Sequence, residues 1–135
     1  MITAVDTGVL LDVFGGDPRF GPASREALRD SLIAGNVVAC DVVWAELAAS
    51  FPSGEGFQRA MRRLGVAFDP VDESACIAAG EAWKAYRARG GRRVRIIPDF
   101  MIGAHAVLRA NRLLTRDRGF YRAYFRRLRI LDPMA

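Results

Sequence analysis

The sequence predicts an α/β fold, a three-layer sandwich in which a central parallel five-stranded sheet carries helices on both faces. Three observations predict it. Five apolar runs of strand length are spread along the chain; longer segments of helical period separate them; and no internal repeat or linker interrupts the alternation. Fully buried strands read as continuous apolar runs, and parallel strands need helical crossovers between them.

The elements follow in order. ITAV (2–5) is the first strand. A helix runs from Ser24 and ends at Gly35, a residue suited to a helix terminus, before the strand VVAC (37–40). Asp41 is placed to cap the helix VVWAELAAS, and Ser53 to cap one carrying Phe57, Met61 and Leu64. VAFDPV (66–71) is the third strand. Asp72 precedes the helix ESACIAAGEAWKAYRAR, whose stripe of Cys76, Ile77, Ala79, Gly80, Trp83 and Tyr86 is expected to face the core before Gly90 and Gly91 stop it. Asp99 heads the helix FMIGAHAVLRA. RLLT (112–115), the segment GFYRAYF and LRIL (128–131) complete the pattern.

With 135 residues and 51% hydrophobic content, the chain is expected to be one domain spanning 1–135 with a substantial core. No apolar run is long enough for a bilayer, and an acid stands in the N-terminal segment where a secretory signal would be basic, so a cytoplasmic protein without membrane association is expected. Cys40 and Cys76 lie among apolar neighbours with no second ligand at metal spacing; both are expected to be buried, reduced thiols.

The net charge is +5, carried by nineteen arginines and Lys84. From Lys84 onward fourteen basic residues face only Asp99, Asp117 and Asp132. Guanidinium groups bind phosphate through paired hydrogen bonds, so a polyanionic partner is one reading and a solvated basic face the other.

In a parallel sheet, ligands gather outside the carboxyl ends of the strands. Asp6 directly follows ITAV with Thr7 beside it, Asp117 follows RLLT after one residue, Glu46 lies about one and a half turns into the helix after VVAC, and Asp99 begins its own helix. Singly, each acid reads as a helix-terminal or solvated residue, a placement worth roughly 0.3–1 kcal/mol against the helix dipole. Together they need a cation, because two carboxylates about 5 Å apart repel by roughly 3 kcal/mol at an effective dielectric of about 20. That cation is either arginine or a hard divalent metal such as Mg²⁺ or Mn²⁺, and metal beside a basic rim suits phosphodiester cleavage.

VDTGVLLDVF, the WAEL around Glu46, IIPDFMIGAHA and LLTRDRGFYRAYF, taken in this order and spacing across nearly the whole chain, resemble the PIN-domain ribonucleases and particularly the VapC-type toxins. The resemblance implies a Mg²⁺-dependent endoribonuclease, Mn²⁺ being a possible substitute, that forms homodimers and is neutralised by a cognate antitoxin. Asp6, Glu46, Asp99 and Asp117 match the acidic, metal-binding positions, and Thr7 and Thr115 match supporting hydroxyls. Gly8 departs from the asparagine or serine common there, and Arg118 and Gly119 stand where some relatives carry further acids, which leaves one or two metals open.

His105 lies six residues past Asp99, roughly 120° away around a helix, so a packing role is expected. No base stands beside Ser24, Ser31, Ser50, Ser53 or Ser74 for nucleophilic chemistry. Arg92 and Arg93 in ARGGRRVR, and Arg116 and Arg118 in RDRGFYRAYFRRLR, are the expected RNA contacts. Phe120, Tyr121, Tyr124 and Phe125 read either as rings that stack on bases or as packing residues, and Trp44, Phe51, Phe57 and Met61 either as a partner surface or as core. A phosphoacceptor receiver domain needs a lysine after the last strand region, whereas Lys84 falls in a predicted helix; a haloacid-dehalogenase phosphatase needs a second aspartate two residues after the first, where Gly8 stands. The alternative from another class is a non-catalytic PIN-like module that binds RNA or antitoxin.

Overall fold

A computed structural model describes residues 1–91 and 95–135. Its strands are β1 (Ile2–Val5), β2 (Asn36–Ala39), β3 (Val66–Phe68), β4 (Arg112–Leu114) and β5 (Ile130–Leu131); its helices are α1 (Thr7–Gly15), α2 (Gly21–Ala34), α3 (Asp41–Ala48), α4 (Gly54–Leu64), α5 (Glu73–Ala88), α6 (Ile97–Arg109) and α7 (Arg118–Tyr124). The sheet is wholly parallel in the order β3-β2-β1-β4-β5. The expected α/β architecture is therefore present. The chain steps outward from β1 to β3, then returns to the other side of β1, so strand order reverses between β1 and β4. Val5 pairs with Leu114 in that register, and the Asp6 N–H bonds to the Leu114 carbonyl at 3.0 Å. This reversal point opens the crevice where an α/β sheet binds ligands.

Helix α1 was not expected from the sequence. Its TGVLLDVFG is apolar on most sides and therefore lacks a one-sided stripe: Val9 and Leu10 are buried, and so is Asp12. Asp6 caps it by accepting from the Thr7 N–H, so the acid at the end of β1 also begins a helix. Helix α2 starts at Gly21, ahead of Ser24, with proline in its first turn. Ser53 caps α4 as expected and Asp72, which precedes α5, caps that helix, each accepting from a backbone N–H three residues on.

Asp41 does not cap α3. Cys40 is the N-cap residue, and the Asp41 carboxylate accepts from the Val71 N–H at 3.1 Å, tying the helix to the segment after β3. The α5 stripe matches the expected one at Ala79, Tyr86 and half-buried Trp83 but departs from it in the first turns. Ala75, Ala79 and Tyr86 are buried, whereas Cys76, Ile77 and Gly80 face outward, because small alanines let α5 lie close against α6. Cys40 is buried as expected, but Cys76 is exposed.

Phe57 and Met61 belong to the core, with Trp44 and Phe51 half-buried against it, so these four residues serve packing rather than a free surface. Trp44 meets Phe57 and Phe68 edge-on at 5.4 and 5.2 Å, and Phe51 meets Phe57 at 5.4 Å. Phe120, Tyr121 and Phe125 are likewise buried and Tyr124 half-buried, which removes them as base-stacking surfaces. Gly103 permits one of these contacts: a Cβ there would run into the Phe125 ring.

His105 is buried, as its packing role requires, and its Nε2 lies 2.8 Å from Asp69 Oδ2. Arg109 grips the same carboxylate through two bonds of 2.9 Å and, with help from His105, lowers its pKa to about 2 against the cost of burial. A depressed carboxylate pKa stabilises the fold above the unfolded value of about 3.9, and that contribution disappears as pH falls toward the folded one. Asp69→Asn is accordingly expected to lower the thermal midpoint near neutral pH and to converge on wild type near pH 2. Parallel melting curves across pH would refute this linkage if the offset persisted unchanged in acid. Among the described residues no helix is long and apolar enough to cross a membrane.

Candidate active site

The carboxyl ends of β1 and β4 bring the predicted residues together through a continuous run of hydrogen bonds. Thr115, fully buried just past β4, donates its hydroxyl to Asp6 Oδ2 at 2.7 Å and accepts from the Asp117 N–H at 3.0 Å. The other Asp6 oxygen accepts from the Thr7 N–H at 2.8 Å, and the Thr7 hydroxyl donates to Glu46 Oε1 at 2.8 Å. Glu46, Thr7, Asp6, Thr115 and Asp117 thus form one connected line, although they span three separate parts of the chain. Strand pairing sets the middle of it, and α3 supplies Glu46 from an exposed helical position.

Asp99 joins from α6. Pro98 occupies the first turn and Asp99 the third helical position, where its Oδ2 accepts from the Ile96 N–H at 3.2 Å. The helix-start reading of this acid is therefore correct as far as it goes. Electrostatics add the rest: burial raises the Asp6 pKa, the bonds from Thr115 and Thr7 oppose that, and the charges of Asp117 and Asp99 raise it further. Three carboxylates consequently share one field. Tyr121, buried beneath them, has its hydroxyl pKa pushed up first by burial and then by Asp6, Asp99 and Asp117, so it remains protonated at physiological pH.

Asp117 is the N-cap residue of α7, but its carboxylate makes no capping bond. It turns to Arg95, whose Nη1 stands 2.6 Å from Oδ2. The Arg95 guanidinium also lies over the Phe120 ring, 4.4 Å from its centre. Arg95 was not singled out from the sequence as a site residue; its place four residues before Asp99, at the end of a basic segment, is the signal that would have found it.

The expected RNA contacts divide. Arg92 and Arg93 lie outside the described residues. Arg118 is exposed, with Nε 3.6 Å from Asp132. Arg116 is held internally: its Nε and Nη2 reach the two oxygens of buried Asp12 at 2.7 and 3.1 Å, and its guanidinium lies 3.9 Å from the centre of the Phe20 ring. Ser24 donates to the same Asp12 carboxylate at 3.0 Å. A Cβ at position 8 would come within 3.8 Å of Arg116 Nη2, so Gly8 leaves the space beside this pair open.

The donor set is oxygen throughout, the chemistry that a hard divalent cation requires. Among the described residues, however, no three His, Cys, Asp or Glu side chains are arranged to hold an ion in common. Glu46 is drawn toward Thr7 and Asp117 toward Arg95. The residues fit such a cation by type and by shared edge, and closing around it requires side-chain rotation at the rim.

A family model for the PIN domain matches residues 3–126. Solved structures share the fold. VapBC2 from Rickettsia felis, bound to a DNA fragment from its promoter, is 17% identical, with 98% of each chain covered and a TM-score of 0.75. VapBC-1 from nontypeable Haemophilus influenzae is 20% identical over 100% of each chain, also at 0.75. A toxin–antitoxin complex from Klebsiella pneumoniae is 20% identical over 97% of each chain at 0.69. No curated protein sequence matches the chain significantly.

Proposed function

This chain belongs to the PIN domain family, and from that premise we propose that it is a Mg²⁺-dependent endoribonuclease toxin neutralised by a cognate antitoxin. The observation that carries the reading is the hydrogen-bonded line from Asp6 through Thr115 to Asp117, with Asp99 in the same field, at the point where strand order reverses. Asp6, Asp99 and Asp117 would hold the ion, with Glu46 at the outer rim. Bound there, a divalent cation supplies phosphate polarisation and a more acidic water. Thr115 and Thr7 fix the orientation of the acids, and Tyr121 closes the floor without adding charge. Arg118 and the exposed Arg126, Arg127 and Arg129 offer a basic approach to a polyanion. Arg92 and Arg93 belong to the same proposed RNA-binding set, as does whatever part of Arg116 its pairing with Asp12 leaves free. The VapBC and toxin–antitoxin structures that share the fold support an antitoxin partner; a homodimeric toxin belongs to the same proposal.

Cleavage of a structured RNA pool tests the reading. Wild type is expected to cut with Mg²⁺ or Mn²⁺, to stop on chelation, and to lose activity as Asp99→Asn. Undiminished cleavage by that variant would sink the site assignment. RNA binding without any metal-dependent cleavage would favour a non-catalytic module.

A further inference from the structure

We infer that Arg95 is an intramolecular counter-ion that competes with a divalent cation for Asp117. This rests on the metal-dependent reading above and adds a device to it. Of the three acids Asp6, Asp99 and Asp117, the first and last are linked through Thr115, and Asp99 lies in the first turn of the helix that Arg95 precedes. Among the described residues, Arg95 is the only cation paired with any of them, since Arg116 is committed to Asp12 and Arg118 stands nearest Asp132.

Its position is built rather than incidental. Arg95 directly precedes Ile96, the N-cap residue of α6, and that backbone is tied down by Asp99 through the Ile96 N–H. From there the side chain crosses to α7, where the Phe120 ring seats one face of the guanidinium and Asp117 takes its edge. Phe120 in turn packs edge-on against Phe100 of α6 at 5.1 Å. The cation is thus clamped between the two helix starts that carry two of the site's acids.

Such an arrangement is mutually exclusive with full ligation. A carboxylate oxygen that accepts a short charge-assisted bond from a guanidinium cannot direct the same lone pair at a metal, and two cations at one oxygen repel. A guanidinium stays charged across the whole physiological range, so it does not yield by losing its proton. It must swing away. By linkage, whatever Arg95 gains from Asp117 is subtracted from metal affinity, and a metal that wins Asp117 loosens Arg95 to the same extent.

Calorimetric titration of Mn²⁺ into chelator-stripped full-length wild type, Arg95→Gln and Arg95→Lys decides the matter. Arg95→Gln is expected to bind Mn²⁺ about tenfold more tightly, the pair being partly exposed and its coupling correspondingly modest. Arg95→Lys keeps the charge but loses the planar seat on Phe120, and should fall between. A residue that merely supports the fold would change affinity in the opposite direction when removed. Equal or weaker Mn²⁺ binding by Arg95→Gln, with wild type binding normally, overturns the counter-ion while leaving the metal-dependent reading intact. Failure of all three proteins to bind Mn²⁺ overturns that reading and the counter-ion with it.

Discussion

Asp6→Asn is expected to reduce RNA cleavage about a thousandfold, some 4 kcal/mol of activation barrier, while raising the thermal midpoint of the chelator-treated protein. Both effects come from one carboxylate. Asp6 sits where β1, β4 and α1 meet, and the amide retains an oxygen for a neighbouring donor but removes the negative charge. Burial, with Asp117 and Asp99 adding to it, gives Asp6 a higher pKa in the folded chain than in the unfolded one. A raised pKa stabilises the fold only below the unfolded value of about 3.9 and loses that contribution as pH rises through the folded value. At neutral pH the ionised carboxylate therefore opposes folding. The stability gain should appear near pH 7 and vanish below about pH 4, and added Mn²⁺ should narrow it by stabilising wild type alone. An Asp6→Asn protein that melts below wild type at neutral pH without metal would contradict this account.

Arg116→Met is expected to destabilise the chain by about 3 kcal/mol, a drop in the melting midpoint of roughly 10 °C. Asp12 is 5% exposed and relies on Arg116 for two bonds and on Ser24 for a third. Removing the arginine leaves a buried carboxylate with one neutral donor. Because the penalty lies in the abandoned charge rather than in the lost attraction, the double replacement Asp12→Leu with Arg116→Met should recover most of it. A single variant with an unchanged midpoint would show that the pair carries little of the fold. Arg116 stands between Thr115 and Asp117, so the same pair steadies the turn that presents both to the site.

The sequence carried the strand–helix alternation and the four acids because both are local signals: apolar runs for buried strands, and polar residues directly after them. Two strands end one or more residues before the expected position, at polar residues whose side chains have partners of their own. Thr115, just past β4, bonds Asp6, and Asp69, just past β3, bonds His105 and Arg109. Helix α1 escaped notice because its apolar residues surround it, and its one acid, Asp12, takes its charged partner from a residue 104 positions away. The α5 stripe was legible at Ala79, Trp83 and Tyr86 but drawn too wide at Cys76, Ile77 and Gly80, since Ala75–Ala79 and Cys76–Gly80 fit the same period and only the neighbouring helix chooses between them. Arg95 illustrates the same limit. An arginine in a basic segment looks like solvent-facing charge until α7 is packed against α6.

The reversal of strand order at β1 has a consequence for synthesis on the ribosome. Asp6 emerges among the first residues, but Thr115 and Asp117 follow more than a hundred residues later, and the bond joining Asp6 to Thr115 closes a separation of 109 positions. Contacts so distant along the chain form late in folding. The growing polypeptide therefore carries two of its four acids through most of translation without the other two, and on the proposed reading it would cut no RNA until β4 has taken its place beside β1.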